Sequence, residues 1–258
     1  MADLSKLTIV SCNVTGLGDS DKRKSILDHL IIRKPHIICL SDTRANLEVQ
    51  LAMRNDLNYN CYFNSYERNS RGVAILFCKS SPIQYINSIN DNNGNYLVIN
   101  FKYEDKKFSI CNIYGPSDAD EPEFFTEIFN KTIEQVDLLG SIIIGDFNTT
   151  LDHTKDNQGY VRPRHTRART RLNELLRDKG FIDTFNEMGE QGPRFTWVSR
   201  GGPQKSRLDM GLISLSLKPY LKSYTKLNEF KSDHSAIEIV LDFTQFSKGR
   251  VFGNLTIT

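Results

Sequence analysis

The sequence predicts an α/β protein that is a four-layer α/β sandwich, with two packed and mainly antiparallel β-sheets flanked by helices. Three features predict this class: many short β-rich apolar runs, only a few helices between them, and no strict alternation of strand and helix. The chain has 258 residues, of which 39% are hydrophobic and 25% are charged. This length and composition are typical of one large globular domain with a single core.

Nine apolar runs that are rich in β-branched and aromatic residues predict strands. They are Leu7–Ser11, His36–Leu40, Val73–Phe77, Tyr96–Phe101, Phe108–Ile113, Ser141–Ile144, Phe195–Val198, Leu208–Ile213 and Ala236–Leu241. Three amphipathic segments predict helices, at Lys22–Arg33, Glu121–Val136 and Thr166–Lys179. Polar clusters follow or precede several of the predicted strands, so candidate functional residues are expected at strand ends.

One domain is expected over residues 1–243, because the hydrophobic pattern fades after Phe243. Residues 244–258 are expected to form a tail or the start of a linker. The five cysteines are odd in number and include no close metal-binding pair, which favours reduced thiols in an intracellular protein. We expect neither secretion nor membrane insertion, since there is no signal-like N-terminus and no run of about 18 apolar residues.

The strongest local motif is the octapeptide Ser141–Asn148, in which a buried strand ends in glycine and is followed by Asp146 and Asn148. Residues two apart in an extended chain point to the same side, so an acid and an amide leave the core together. The alternative is an ordinary strand-to-turn junction, because Asp and Asn are both favoured in turns.

Two further motifs combine an acid with a histidine. Asp233 and His234 precede the strand Ala236–Leu241, and a histidine is well suited to hydrogen-bond a phosphoryl oxygen near neutral pH. Asp209, in the motif Ser206–Met210, could hold the imidazole of His234 in its working tautomer. A capped strand start remains the simpler interpretation of each motif taken alone.

Three more polar residues lie at predicted strand ends. Asn13 follows the first strand, Asp42 follows the second, and Tyr114 lies in Asn112–Pro116. Asp42 is a hard oxygen ligand of the type that Mg²⁺ prefers. Plain turn chemistry is the alternative explanation for Asn13 and Tyr114.

Taken in order, these motifs resemble the signature of the exonuclease, endonuclease and phosphatase (deoxyribonuclease I-like) superfamily. The motif residues are Asn13, Asp42, Tyr114, Asp146, Asn148, Asp209, Asp233 and His234. Within it, the chain is most similar to the apurinic-type endonuclease domain of non-LTR (LINE-type) retrotransposons. Such domains nick target DNA, leave a 3′-hydroxyl that primes reverse transcription, and lie at the N-terminus of a longer polyprotein, which would continue after residue 258.

The resemblance implies a Mg²⁺-dependent DNA endonuclease, with Mn²⁺ as a substitute ion, that directs water at a phosphodiester. Asp42 and Asn13 would hold the metal, assisted by Asp233. The implied catalytic residues are Asp146 as the group that activates water, Asn148 beside it, and His234 with Asp209, together with Tyr114, on the phosphate.

The family motif at the second strand is usually Gln-Glu-Thr, whereas this chain has Ser41-Asp-Thr43. A carboxylate on Asp reaches roughly 1.5 Å less far than one on Glu. Because Mg²⁺ tolerates poor geometry badly, the metal site is where this chain departs from the family.

Two basic segments are candidates for contact with DNA. No acid lies between Asp156 and Glu174, where Arg162, Arg164 and Arg167 cluster with further arginines, although such a run is commonly a solvated face. The second segment reads as two strands joined by a Gly/Pro hairpin that could enter a minor groove. Its candidate residues are Thr196, which matches a DNA-backbone contact of the family, and Arg200, Lys205, Ser206 and Arg207.

The expected partners are double-stranded DNA and the reverse transcriptase of the same polyprotein, with no membrane partner and a monomeric isolated domain. Synthesis in the cytoplasm and action in the nucleus follow from the same resemblance. Three alternatives remain: a cellular apurinic/apyrimidinic repair endonuclease, a lipid or inositol phosphatase, and a DNA-binding module weakened at Asp42.

Overall fold

A computed structural model describes residues 5–66, 70–135, 137–160, 162–189, 194–228 and 230–244. The strands are β1 (Lys6–Asn13), β2 (Ile37–Ser41), β3 (Tyr59–Asn64), β4 (Val73–Cys78), β5 (Ile83–Asn90), β6 (Tyr96–Tyr103), β7 (Lys106–Tyr114), β8 (Gly140–Asp146), β9 (Asn157–Gln158), β10 (Phe181–Asp183), β11 (Trp197–Val198), β12 (Lys205–Ser206), β13 (Asp209–Ser214), β14 (Leu221–Lys226) and β15 (Ile237–Asp242). The helices are α1 (Ser20–Ile31), α2 (Leu47–Asp56), α3 (Pro122–Ile133), α4 (His153–Asp156), α5 (Thr166–Asp178) and α6 (Thr184–Glu187), with a 3-10 helix at Leu215–Tyr220.

The strands form two six-stranded sheets and one small sheet. The first sheet has the order β14-β15-β1-β2-β4-β3, and the second has the order β10-β13-β8-β7-β6-β5. Only the pairs β1/β2 and β7/β8 are parallel among the described ladders of these two sheets. The predicted pair of mainly antiparallel sheets is therefore confirmed.

The main core lies between the two sheets. In β2, Ile37 and Cys39 face this inner core, whereas Ile38 and Leu40 face outward into a second apolar cluster. Successive side chains of a strand point to opposite faces, so an unbroken apolar strand must be covered on both sides. Continuous apolar runs such as this one therefore require helices outside each sheet.

Helices supply this outer cover. On the first sheet, Leu30 of α1 and Met53 of α2 pack into the outer cluster. On the second sheet, Phe129 of α3 and Leu172 of α5 do the same. The result is the predicted α/β/β/α order of four layers.

Several predicted bounds differ from the observed ones. The predicted helix Thr166–Lys179 corresponds to α5, which ends one residue earlier, at Asp178. The predicted helix Glu121–Val136 corresponds to α3, which ends at Ile133, and Val136 lies outside the described residues. The predicted tail also lies outside them, apart from Thr244. All five cysteines are free thiols, as predicted. Among the described residues, no helix is long and apolar enough to cross a membrane.

Candidate active site

Three adjacent strands of the second sheet bring an aromatic residue and two acids into one row. Tyr114 pairs in register with Asp146 across the parallel β7/β8 ladder, and Asp146 pairs with Asp209 across the antiparallel β8/β13 ladder. Asn13 ends β1 of the first sheet, yet its Nδ2 donates to Oδ2 of Asp146 at 2.8 Å. The site therefore lies at the edge where both sheets end.

Asp146 is buried at the centre of this row, with 1% of its surface exposed. Its Oδ1 accepts a hydrogen bond from the backbone N–H of Asn148 at 2.8 Å, so the turn after the strand fixes this carboxylate. The backbone before it passes so close to β7 that a Cβ on Gly145 would lie 2.2 Å from the carbonyl oxygen of Ile113. Only glycine fits there, so the Gly-Asp pair places the carboxylate at this depth.

His234 pairs with the second acid of the row. Its Nδ1 donates to Oδ2 of Asp209 at 2.8 Å, and its Nε2 lies 3.9 Å from Oδ2 of Asp146. Burial alone would lower the pKa of His234, but the carboxylates of Asp209 and Asp146 together raise it to about 9. Burial also raises the pKa of Asp146, an effect that His234 partly offsets. One cation is thus shared between two buried acids.

A neighbouring hairpin fixes the segment that carries His234. The backbone N–H of Ser235 donates to the carbonyl of Thr196 at 2.7 Å, and Trp197 and His234 form a β-bridge. Oγ1 of Thr196 accepts hydrogen bonds from the backbone N–H groups of Leu208 and Asp209, at 3.0 and 2.9 Å. This hydroxyl therefore aligns the strand of Asp209 with the segment of His234.

Tyr114 and Asn148 lie beside Asp146. Asn148 has a left-handed backbone with φ 48°, and its Nδ2 donates to the carbonyl of Gly115 at 2.8 Å. Burial, together with the charges of Asp42 and Asp146, raises the pKa of Tyr114 well above its usual range, so the phenol keeps its proton. Asn148 and His234 also line a 280 Å³ cavity beside the site, which is large enough for a sugar-phosphate group.

The three predicted metal ligands all lie next to ends of strands of the first sheet. Asn13 and Ser41 are register partners on parallel strands, so Asn13 and Asp42 leave the first sheet side by side. The segment containing Asp233 is tied to them, because Oγ of Ser232 donates to the carbonyl of Asn13 at 2.7 Å. The fold thus brings together residues that are far apart in the sequence.

The chemistry of this donor set fits a hard divalent ion. Among the described residues, Oδ1 of Asp233 is buried and has no hydrogen-bond partner. Oδ1 of Asn13 accepts one hydrogen bond, from the N–H of Thr15 at 2.9 Å, and keeps its second lone pair. Both carboxylate oxygens of Asp42 accept from Arg44, and each of these oxygens also has a further acceptor position. Mg²⁺ prefers carboxylate and amide oxygens of this kind.

A different group of described residues also has metal-ligand spacing. One ligand atom from each of Asp146, Asp209 and His234 lies within 4.8 Å of the others. However, the Nδ1–H of His234 is engaged with Asp209, and the raised pKa of the imidazole favours its protonated form. Two members of this group, His234 and Asp209, are therefore bonded to each other.

The predicted DNA-binding residues divide into exposed and buried sets. Exposed or partly exposed side chains belong to Arg162, Arg164, Arg167, Arg200 and Lys205. Arg164 also lines the cavity that contains Asn148 and His234, which connects the arginine cluster to the site. The side chains of Thr196, Ser206 and Arg207 are each at most 1% exposed, so the DNA contacts predicted for these three are corrected.

Each corrected residue has a structural partner. Oγ of Ser206 donates to Oδ1 of Asn157 at 2.7 Å, and Thr196 holds the strand of Asp209 as described above. The guanidinium of Arg207 lies 2.9 Å from Asp156 and 2.8 Å from Asp183, both of which are buried. Arg207 is therefore the centre of a buried ion network. Without its guanidinium, the carboxylates of Asp156 and Asp183 would lose a cationic partner in a low-dielectric interior.

Two residues of the site are missing from the sequence-based prediction. Asn112 is fully buried, and its Nδ2 donates to the carbonyls of Leu40 and Ala74 at 2.8 and 3.0 Å, so it ties the second sheet to the first. The motif Asn112–Pro116 already contained this residue, but only Tyr114 was assigned a role. Arg44, the partner of Asp42, likewise stood in the motif Cys39–Arg44.

Comparison with known proteins supports the fold. No known family profile matches the chain. The AP endonuclease LMAP of Leishmania major is similar with a TM-score of 0.75 and 16% identity, over 94% of this chain and 89% of that one. The 3′-5′ exonuclease NExo of Neisseria meningitidis is similar with a TM-score of 0.70 and 18% identity, over 92% of this chain and 100% of that one. TDP2 of D. rerio, complexed with single-strand DNA product, is similar with a TM-score of 0.71 and 17% identity, over 92% of this chain and 99% of that one.

The packed sheets and these likenesses define a protein with a deoxyribonuclease I-like fold. In sequence, the chain is 25% identical over 237 residues to the transposon TX1 uncharacterized 149 kDa protein of Xenopus laevis, covering 90% of this chain. The predicted resemblance to a transposon-encoded protein is thereby confirmed. The chain spans only 18% of that relative's length.

Proposed function

We propose that this chain is a Mg²⁺-dependent DNA endonuclease that nicks one strand of target DNA and leaves a 3′-hydroxyl for reverse transcription. One observation carries the proposal, namely the hydrogen-bonded series in which Asn13 contacts Asp146 and Asp209 contacts His234, with Asp146 and His234 3.9 Å apart. Such a series combines a buried base, an oriented imidazole and a metal-type amide at one sheet edge. Each of the three can lower the barrier to phosphodiester hydrolysis.

Asp146 would accept the proton of the attacking water. Its two oxygens are oriented by the N–H of Asn148 and by Nδ2 of Asn13, so the carboxylate is held in one position. A carboxylate with a raised pKa is a stronger base than a solvated one, which favours proton transfer near neutral pH.

His234 would donate a hydrogen bond from Nε2 to a phosphoryl oxygen while Asp209 holds Nδ1. The raised pKa keeps the imidazole protonated at neutral pH, so a positive charge faces the charge that develops on the phosphate. The hydroxyl of Tyr114 and the amide of Asn148 would add neutral donors on the same side. These groups are fixed before substrate binds, which is the condition for electrostatic stabilisation.

Asn13, Asp42 and Asp233 would hold the Mg²⁺, for which Mn²⁺ is a substitute, and the ion supplies positive charge to the phosphate and leaving oxygen. The exposed arginines of residues 162–167, together with Arg200 and Lys205, would bind phosphates of double-stranded DNA. The match to part of a longer transposon protein supports a polyprotein context. We further propose a reverse transcriptase partner in that polyprotein, and action in the nucleus after cytoplasmic synthesis. The isolated domain is proposed to act as a monomer, over residues 1–243.

Conversion of supercoiled plasmid to open circle tests the proposal. We expect nicking by the wild type with Mg²⁺ or Mn²⁺, none with EDTA, and a loss of about 10²-fold or more in Asp146→Ala and His234→Ala. Extension of the nick by a polymerase would show the 3′-hydroxyl. Equal nicking by wild type and both variants would contradict the proposed site.

A cellular abasic-site endonuclease is the second candidate, and the specific observation in its favour is the structural likeness to an AP endonuclease. The two functions differ in substrate. A matched pair of duplexes, one with a single abasic site and one undamaged, separates them. Cleavage restricted to the abasic duplex would favour the repair enzyme, whereas nicking of the undamaged duplex favours the retrotransposon endonuclease.

A further inference from the structure

The carboxylate of Asp42 is held by Arg44 through both of its oxygens. Nε of Arg44 lies 3.0 Å from Oδ1, and Nη2 lies 2.7 Å from Oδ2. A bidentate pair of this kind is stronger and more directional than a single charged hydrogen bond. The acid expected to bind the metal therefore already has a cation on it.

The loop is built so that this pair forms. Asp42 and Arg44 both have left-handed backbones, with φ 50° and 48°, a conformation that is costly for residues other than glycine. Hydrogen bonds pin the loop on two sides: the N–H of Gly16 donates to the carbonyl of Asp42 at 2.8 Å, and the N–H of Arg44 donates to the carbonyl of Arg71 at 2.7 Å. A turn fixed by contacts on both sides presents the two side chains to each other.

The charge balance of this end of the site depends on the same pair. The side chain of Asp42 is 4% exposed, whereas that of Arg44 is 48% exposed and lines a 450 Å³ cavity with Tyr114 and Arg71. Lys22 is a second cation here, with Nζ 2.9 Å from the carbonyl of Thr15. A divalent ion that approaches Asp42 therefore meets like charge, and the open cavity gives the guanidinium room to move away.

We infer that Arg44 is a resident counter-ion of the metal site, which competes with the divalent ion for the carboxylate of Asp42 and sets the metal affinity of the protein without DNA. This inference rests on the proposed metal dependence. When no ion is bound, the positive charge of Arg44 stands in for the charge of the ion. When Arg44 is removed, the carboxylate of Asp42 becomes available to the metal. Metal affinity should therefore rise when this arginine is neutralised.

A magnesium titration measures this without any substrate. Trp197 is the only tryptophan in the sequence, and its Nε1 lies 3.4 Å from Oδ2 of Asp233, so its fluorescence reports on the metal end of the site. We expect Arg44→Gln to bind Mg²⁺ about tenfold more tightly than the wild type, the effect of one nearby like charge in a largely hydrated site. Arg71→Gln is the matched control, since Arg71 lines the same cavity but bonds to Asn95, and it should stay within about twofold of the wild type.

An equal or weaker Mg²⁺ affinity in Arg44→Gln would overturn the inference. Far-UV circular dichroism in EDTA checks that Arg44→Gln folds. If it does not, Arg44→Lys takes its place. Lys keeps the charge but loses the bidentate hydrogen bond, so Mg²⁺ should bind more tightly than to the wild type, but by less than is expected for Arg44→Gln. Absence of any tightening in that variant would also overturn it. Asp42→Asn should weaken Mg²⁺ binding, and unchanged binding would show that Asp42 is not a ligand. Plasmid nicking tests the proposed function separately, because nicking can persist when the metal affinity does not respond to Arg44.

Discussion

The imidazole of His234 donates from Nδ1 to Oδ2 of Asp209 at 2.8 Å, although Asp209 begins β13 of the second sheet and His234 lies in the segment before β15 of the first. The contact keeps a proton on Nδ1, and it turns the other ring nitrogen toward Asp146. Asp209 is itself anchored through the backbone by the hydroxyl of Thr196. The orientation of the imidazole is therefore a property of the fold rather than of the substrate.

Replacement of Asp209 by Asn should lower the nicking rate by about 10²-fold or more without weakening DNA binding. An amide can donate to Nδ1 and so favour the wrong tautomer, and it removes the charge that stabilises the imidazolium. Single-turnover nicking and DNA binding in EDTA measure the two effects. Asp178→Asn, at an exposed position on α5, serves as the control and should behave as the wild type.

The nicking rate should depend on pH with a rise near pH 7 and a fall near pH 9. Burial, opposed in part by His234, raises the pKa of Asp146 to about 7, so the base becomes active as pH increases through this value. The carboxylates of Asp209 and Asp146 overcome the effect of burial and raise the pKa of His234 to about 9, so its proton is lost above that value. The two limbs belong to the coupled pair. A rate that decreases steadily from pH 7 to pH 9 would contradict these assignments.

Arg207 and Arg200 should respond in opposite ways to substitution. Arg207→Met leaves Asp183 without an ion-pair partner and leaves Asp156 paired with Arg194 alone, so the free energy of unfolding should fall by about 3–5 kcal/mol. DNA affinity of the protein that remains folded should not change. Arg200→Ala, at an exposed position, should weaken DNA binding and alter the free energy of unfolding by no more than about 0.5 kcal/mol. Urea denaturation and equilibrium DNA binding distinguish the two variants.

The exposed arginines at positions 162, 164 and 167 should determine much of the salt dependence of DNA binding. Each phosphate contact that is lost should reduce the slope of log K against log salt concentration by about 0.9. Triple substitution by Ala, measured in EDTA, tests this. Arg171→Ala is the control, because Arg171 pairs with Glu174 and Thr126 within the protein. A slope that is unchanged in the triple variant would place the DNA elsewhere.

Sequence patterns predicted the central strands of the two six-stranded sheets but not their edge strands. The strands that no apolar run predicted, β3, β5, β10 and β14, are the outermost strands of the two sheets. An edge strand is covered less completely, and β5, with the sequence Ile-Gln-Tyr-Ile-Asn-Ser-Ile-Asn, is exposed along most of its length. Such strands lack the continuous apolar runs of central strands, so hydrophobicity alone does not reveal them.

The site residues show the same division between local and long-range information. Asp146 and Asn148 were predictable because a single strand and its turn determine their geometry. Arg207 was misassigned because its burial depends on Asp156 and Asp183, which lie 51 and 24 residues away. The segment of residues 195–208, which contains Arg207, has no acid, and this indicated an exposed cation. The fold instead brings acids to Arg207 from other segments. The pairing of Asp42 with Arg44 was missed because it needs two consecutive turns with left-handed residues.

The nicking rate of Asp146→Asn in Mg²⁺ tests the central claim most directly. Asn keeps the size of the side chain and can still bond to the backbone of Asn148, but it cannot accept a proton from water. The proposed mechanism predicts normal DNA binding and a rate lower by about 10²-fold or more at neutral pH. A variant that converts supercoiled plasmid to open circle at the wild-type rate would contradict the assignment of Asp146 as the base.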